Sequence, residues 1–180
     1  MSKKETLRKV FKWVIYALLL LTAYMLQTTR GLTVPIFGAR PLLILGVSLS
    51  VSFLEPLVPA GIFAFFSGLL MDYASDTLFG YYGFFFVALA LGLALLTQFA
   101  TLPTAWTFIL SGGGAVLIQG HIDFLFRDAL LEMSGTGAFY VTRLLPMLVY
   151  TVAMTYAVFF LVRWIHRRLT PGHEQEMLTE

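Results

Sequence analysis

Cysteine is absent from the 180-residue sequence. The chain therefore has no disulfide framework, no thiolate metal site and no redox thiol. Charge is scarce as well: Asp, Glu, Lys and Arg make up 12% of the residues, against about 25% in ordinary soluble domains. Such a chain cannot cover a water-facing surface. Hydrolytic motifs are also missing, with no G-x-S-x-G elbow, no H-E-x-x-H helix, and no base close in sequence to Ser67 or Ser111. An enzyme is not expected, and neither is a cofactor.

What the chain has in abundance is apolar length, with 58% hydrophobic residues and a mean hydropathy of +0.82. The runs are too long and too many for a cleavable leader, so they read as membrane spans. Eight of the twelve Lys and Arg cluster near the two ends, as Lys3, Lys4, Arg8, Lys9, Lys12, Arg163, Arg167 and Arg168. That is the pattern of membrane orientation rather than of nucleic-acid binding.

The expected fold is a single all-α polytopic membrane domain over residues 1–180, with about six spans near 10–27, 41–54, 57–71, 78–98, 105–126 and 139–165 and a polar tail over 166–180. Six spans leave both termini on one side, and the basic ends place that side in the cytoplasm. Trp13, Tyr16 and Tyr24 are expected at the lipid interface, with Lys12 snorkelling towards water. Pro41 suits a first helical turn and Glu55-Pro56 closes the second span, while Pro146 is expected to kink the sixth. The mixed-charge segment 127–137 reads as an interfacial helix.

The most specific stretch is GIFAFFSGLLMDYASDTLFGYYG, from Gly61 to Gly83. Ala60, Ala64, Gly68 and Asp72 recur every four residues, so small side chains line one helix face and lead to a carboxylate. An ionised acid there needs a partner, the more so at a helix C-terminus whose dipole is negative. Arg40, Arg127 and Arg143 fall on its side of the membrane, with Arg143 preferred. The plain reading makes Asp72 an ion pair or a cap for the next helix, alongside Ser75 or Asp76; the sharper one makes it a contact for a partner protein.

Other clusters are less specific. Asp123 and Arg127 have the spacing of a helical ion pair, whereas His121 and Asp123, two apart, suit no shared metal on a helix. Gly112, Gly113 and Gly114 lie inside an apolar run without a following Lys-Ser/Thr, so they read as close packing or a bend rather than a phosphate loop. The aromatic run from Phe79 to Phe86 covers nearly every side of a helix, the pattern of packing and lipid contact. The basic end RWIHRR can rest on anionic headgroups.

Arg40-Pro41 followed by the apolar PLLIL run, then Gly61 and FFSGLLMDYASDTLFG, resemble the rod shape-determining membrane protein family MreD. Gly68, Asp72 and Gly80 match the family's glycine, aspartate, small polar turn and closing glycine; Phe79 stands where the family commonly has leucine. The resemblance in size and spans covers almost the whole chain. It implies a non-enzymatic multi-pass subunit of the bacterial cytoplasmic membrane that supports cell shape and lateral peptidoglycan synthesis. The implied partners are MreC and, through it, MreB, RodA and a class B penicillin-binding transpeptidase. The family also resembles in fold the substrate-binding subunits of energy-coupling-factor vitamin transporters, which is the alternative reading. Those subunits often carry an A-x-x-x-A coupling stripe in the first span, where this chain has Ala17 and Ala23 six apart. The residues expected to bind a partner or hold the fold are Arg40, Pro41, Ala60, Ala64, Gly68, Asp72, Gly80 and Arg143.

Overall fold

A computed structural model describes residues 3–29, 41–75, 79–99, 104–126 and 145–170. Among them the regular structure is entirely helical: α1 (Lys3–Thr28), α2 (Leu43–Leu54), α3 (Leu57–Ser75), α4 (Tyr81–Phe99), α5 (Ala105–Phe124) and α6 (Leu145–Leu169). Four of these helices are long and apolar enough to cross a membrane, over Thr6–Thr28, Leu57–Ser75, Tyr81–Gln98 and Leu145–Leu169. The chain is a polytopic helical protein by this measure. It departs from six equivalent spans at α2, which has 12 residues and is about 18 Å long, and at α5, whose apolar stretch is interrupted by Gln119, His121 and Asp123.

The short α2 is the core. Every residue from Leu43 to Phe53 is buried, as expected of a helix that is apolar all round. Two of its three buried serines are satisfied from within the helix, Ser50 and Ser52 donating to the carbonyls of Gly46 and Ser48 at 2.6 and 2.8 Å, while the Ser48 hydroxyl is buried without a protein partner. The free N–H groups at its start take side-chain acceptors from neighbouring helices. Leu42 donates to Thr151 Oγ1 of α6 at 3.2 Å, and Ile44 to Gln27 Oε1 of α1 at 3.1 Å. Pro41 stands two residues before the helix rather than in its first turn, and its carbonyl accepts from Leu43 at 3.1 Å.

Close approach builds the rest. A Cβ on Gly46 would lie 3.0 Å from Thr155 Oγ1 and 3.3 Å from Thr155 Cα, so glycine sets the α2–α6 distance. At the other end of α2, Phe53 packs edge-on against Phe108 and Phe159, which stack on each other with centroids 3.9 Å apart. This aromatic trio joins α2, α5 and α6. Pro146 is the second residue of α6. The residues before α6, 127–144, lie outside the described ones, and the kink expected at Pro146 falls at that boundary.

Successive helices run in opposite directions. Lys12, Glu55 and His166 meet at one end, which also holds the start of α1 and the end of α6. Gln27, Met71 and Ile44 meet at the opposite, distal end. The expected interfacial helix over 127–137, and Arg40, Asp76, Arg127 and Arg143, lie outside the described residues.

Candidate functional site

Two buried carboxylates, one at each end of the bundle, are its chemically distinctive points. Asp72 belongs to the last full turn of α3, which continues to Ser75. Its carboxylate faces the start of α4: the backbone N–H groups of Gly80, Tyr82 and Gly83 donate to it at 2.9, 2.8 and 3.3 Å. Gly80 has φ +97°, a left-handed conformation that glycine adopts at little cost. That bend turns the N–H groups of the following turn back onto α3. Although Asp72 is near the negative end of its own helix dipole, its oxygens sit on the positive end of the next. It is a cap supplied by the preceding helix.

The small-residue stripe makes this geometry reachable. Ala60, Ala64, Gly68 and Asp72 are all buried within the chain. A Cβ at Gly68 would lie 2.5 Å from both Gly83 Cα and the Tyr82 carbonyl oxygen. Backbone meets backbone there, and α4 can come within hydrogen-bonding range of Asp72 because position 68 has no side chain. The seam is spent inside the protein. Ser75, expected as a possible cap, donates its hydroxyl to the Met71 carbonyl at 2.7 Å.

The clamp continues into α5. Tyr82, whose N–H binds Asp72, donates its hydroxyl to Asp123 Oδ2 at 2.8 Å, and Tyr81 donates to Oδ1 at 3.1 Å. Gln119 Nε2 also donates to Oδ1, at 3.1 Å, while its own Oε1 is buried without a protein partner. His121 does not join them, as its Nδ1 lies 2.7 Å from the Leu117 carbonyl on its own helix. No group of three metal-ligating side chains occurs among the described residues. In the glycine triplet, Gly113 packs on Tyr156, whose hydroxyl donates to the Ile109 carbonyl at 2.6 Å, and Gly114 faces open space.

The second centre is Glu55, in the two-residue turn between α2 and α3. It is 7% exposed, and its partners Lys12 and His166 are 5% and 8% exposed. Lys12 Nζ lies 2.8 Å from Oε1 and 3.1 Å from Oε2. Tyr16 donates its hydroxyl to Oε1 at 3.1 Å, and His166 Nδ1 lies 3.1 Å from the same oxygen. An ionised carboxylate only accepts, so Nδ1 carries a proton, an assignment made from this hydrogen-bond pattern. One side chain thus ties α1, the α2–α3 turn and α6 together. Lys12 does not snorkel, and Tyr16 is fully buried instead of lying at the interface.

Burial raises the Glu55 carboxyl, but the His166 hydrogen bond and the Lys12 charge outweigh it and hold the group below its ordinary value of 4.5. A depressed carboxyl contributes stability that is present above its unfolded value and is lost as pH falls through the folded one. Thermal melting in detergent should therefore be insensitive to this group at neutral pH and drop as pH is lowered below about 4.5. In Glu55→Gln that acid-side step should shrink. An unchanged step in the variant would assign it to other groups.

Glu55, Lys12, Tyr16 and His166 form a site that single-sequence reading does not assemble. The available signal was that Lys12 and Glu55 carry opposite charges at the borders of apolar runs expected on the same side of the membrane, where each needs a partner. Comparison with protein families, with characterised proteins and with solved structures finds no match to this chain.

Proposed function

We propose that the chain is a non-enzymatic membrane scaffold of the MreD type, which binds MreC and supports the bacterial elongation machinery. The observation that supports this reading most is the joint use of the residues that carry the resemblance. Gly68 permits the α3–α4 approach, Gly80 makes the turn, and Asp72 closes it. Both buried carboxylates hold helices in place, which is the chemistry of assembly.

Because the small-residue seam is covered by the chain's own helices, a partner helix needs another face. That face is on α1, where Leu7, Phe11, Val14, Leu18, Leu21 and Met25 all point outward. They alternate in steps of four and three, the heptad spacing with which two helices wrap around each other. A single spanning helix of MreC would lie along it.

Co-purification with MreC tests the reading. With no native cysteine, Leu18→Cys can be paired with single cysteines along the MreC span. A stable complex with cross-links repeating at heptad spacing is expected. A chain that ignores MreC and instead binds a vitamin tightly would move it to the transporter reading.

A further inference from the structure

A serine or threonine hydroxyl inside a helix has an acceptor within reach, the carbonyl four residues earlier. Ser50, Ser52, Ser67, Ser75 and Ser111 use it, donating to the carbonyls of Gly46, Ser48, Phe63, Met71 and Thr107 at 2.6–2.8 Å. Thr22 and Thr28 of α1 do the same at 2.8 Å. Ser48 of α2 and Thr155 of α6 do not. Each is 1% exposed, and neither hydroxyl has a hydrogen-bond partner in the protein. Gln119 Oε1 of α5 joins them, on a fully buried side chain whose Nε2 is anchored to Asp123. Asp123 also accepts from Tyr81 and Tyr82, so the group left over at this point is a neutral amide oxygen.

We propose that Ser48, Thr155 and Gln119 each bind an internal water molecule, so that the interior of the bundle is hydrated at α2, α5 and α6. A hydroxyl that forgoes the bond in its own turn gives up a contact that its neighbours keep, and another partner has to make the loss good. Left with none, a buried hydroxyl lowers the folding equilibrium constant by roughly five- to a hundredfold. Two hydroxyls and an amide oxygen carry no charge, and an ion drawn to Ser48 or Thr155 would shed its hydration without a countercharge. An organic ligand would have to displace side chains around α2, where every residue from Leu43 to Phe53 is buried. Water is the smallest species that both donates and accepts. Beside Ser48 or Thr155 it finds a second partner in the carbonyl one turn earlier, of Ile44 or Thr151, whose second lone pair the helix ladder leaves over. The three sites do not depend on what the protein binds.

The test is the sign of a stability change in the full chain, read by reversible unfolding in a denaturing detergent. Ser48→Ala and Thr155→Val each remove one hydroxyl and little else. A hydroxyl held by water stabilises the fold, so each variant should lower the folding equilibrium constant about fivefold. Ser50→Ala, which loses a hydroxyl bonded within its own turn, sets the reference. If Ser48→Ala and Thr155→Val are as stable as wild type, or more stable, the hydroxyls were unsatisfied and the proposal is overturned. Radiolytic labelling of wild type in ¹⁸O-water is the second measurement, since bound water oxidises the buried side chains beside it. Label is expected within α2 and around Gln119 of α5, exchanging more slowly than label at the surface. An unlabelled α2 overturns the proposal even where a variant fails to fold.

Discussion

Glu55→Ala is expected to lower stability by about 3–5 kcal/mol, the cost of leaving a buried charge without its partner, and to abolish most recovery of monodisperse protein in detergent. The size of the effect follows from who is left behind. Lys12 is 5% exposed and cannot reach water without unpacking α1, and Tyr16 and His166 lose the oxygen to which both turn. Glu55→Gln should cost less, because its carbonyl still accepts from Tyr16 while only the charge is lost. Lys12→Met in the Glu55→Gln background should recover part of the loss, since the stranded cation is then gone. Chemical denaturation of the single and double variants measures the coupling, and additivity of the two changes would contradict the pairing.

Asp72→Ala carries the second large effect, about 3 kcal/mol or more. Three backbone N–H groups at the start of α4 lose their acceptor at once, each a cost of roughly 1–3 kcal/mol where water cannot replace it. Because the turn is built around Gly80 at φ +97°, the segment has no equally good alternative conformation in which to bond those groups. Loss of protection should therefore be local, and amide exchange at Tyr82 and Gly83 should accelerate before exchange in α2 does. Asp72→Asn keeps one accepting oxygen and should fall between alanine and wild type. Uniform acceleration across all helices would contradict a local clamp.

Much of the helix order was legible because apolar runs of span length have few other uses. The run from Leu57 was recognised at its first residue, and the stripe ending at Asp72 fell on one face as its spacing requires. What could not be read was the direction of each polar group. Asp72 was recognisable as a charge in need of a partner, yet that partner is main chain, and three N–H groups converge on it only after Gly80 reverses the backbone. The arginine favoured for the role, Arg143, lies outside the described residues. Glu55 looked like a span terminator because its partners are 43 and 111 residues away in sequence. Distances of that kind are set by the packing of α1 and α6 on α2, and no local spacing encodes them. Lys12 and Tyr16 were placed at the lipid interface by residue type, and the structure overrides that preference because a buried acid offers both of them a better partner than headgroups do. The short, buried α2 was legible in its length but not in its centrality, which depends on Gly46 admitting Thr155 and on Gln27 and Thr151 reaching its first turn.

On the proposed scaffold reading, the buried carboxylates hold helices in place and what the protein presents to a partner is shape. The most direct test replaces Lys12, Glu55 and His166 together by apolar residues of similar volume, a change that removes every charge of the cluster while keeping its packing, and measures capture of MreC by the folded variant. On that proposal the variant is monodisperse and captures MreC to the same extent as the unaltered chain. A variant that folds with native helicity and melting yet no longer captures MreC would show that the charges themselves act, and would contradict the account.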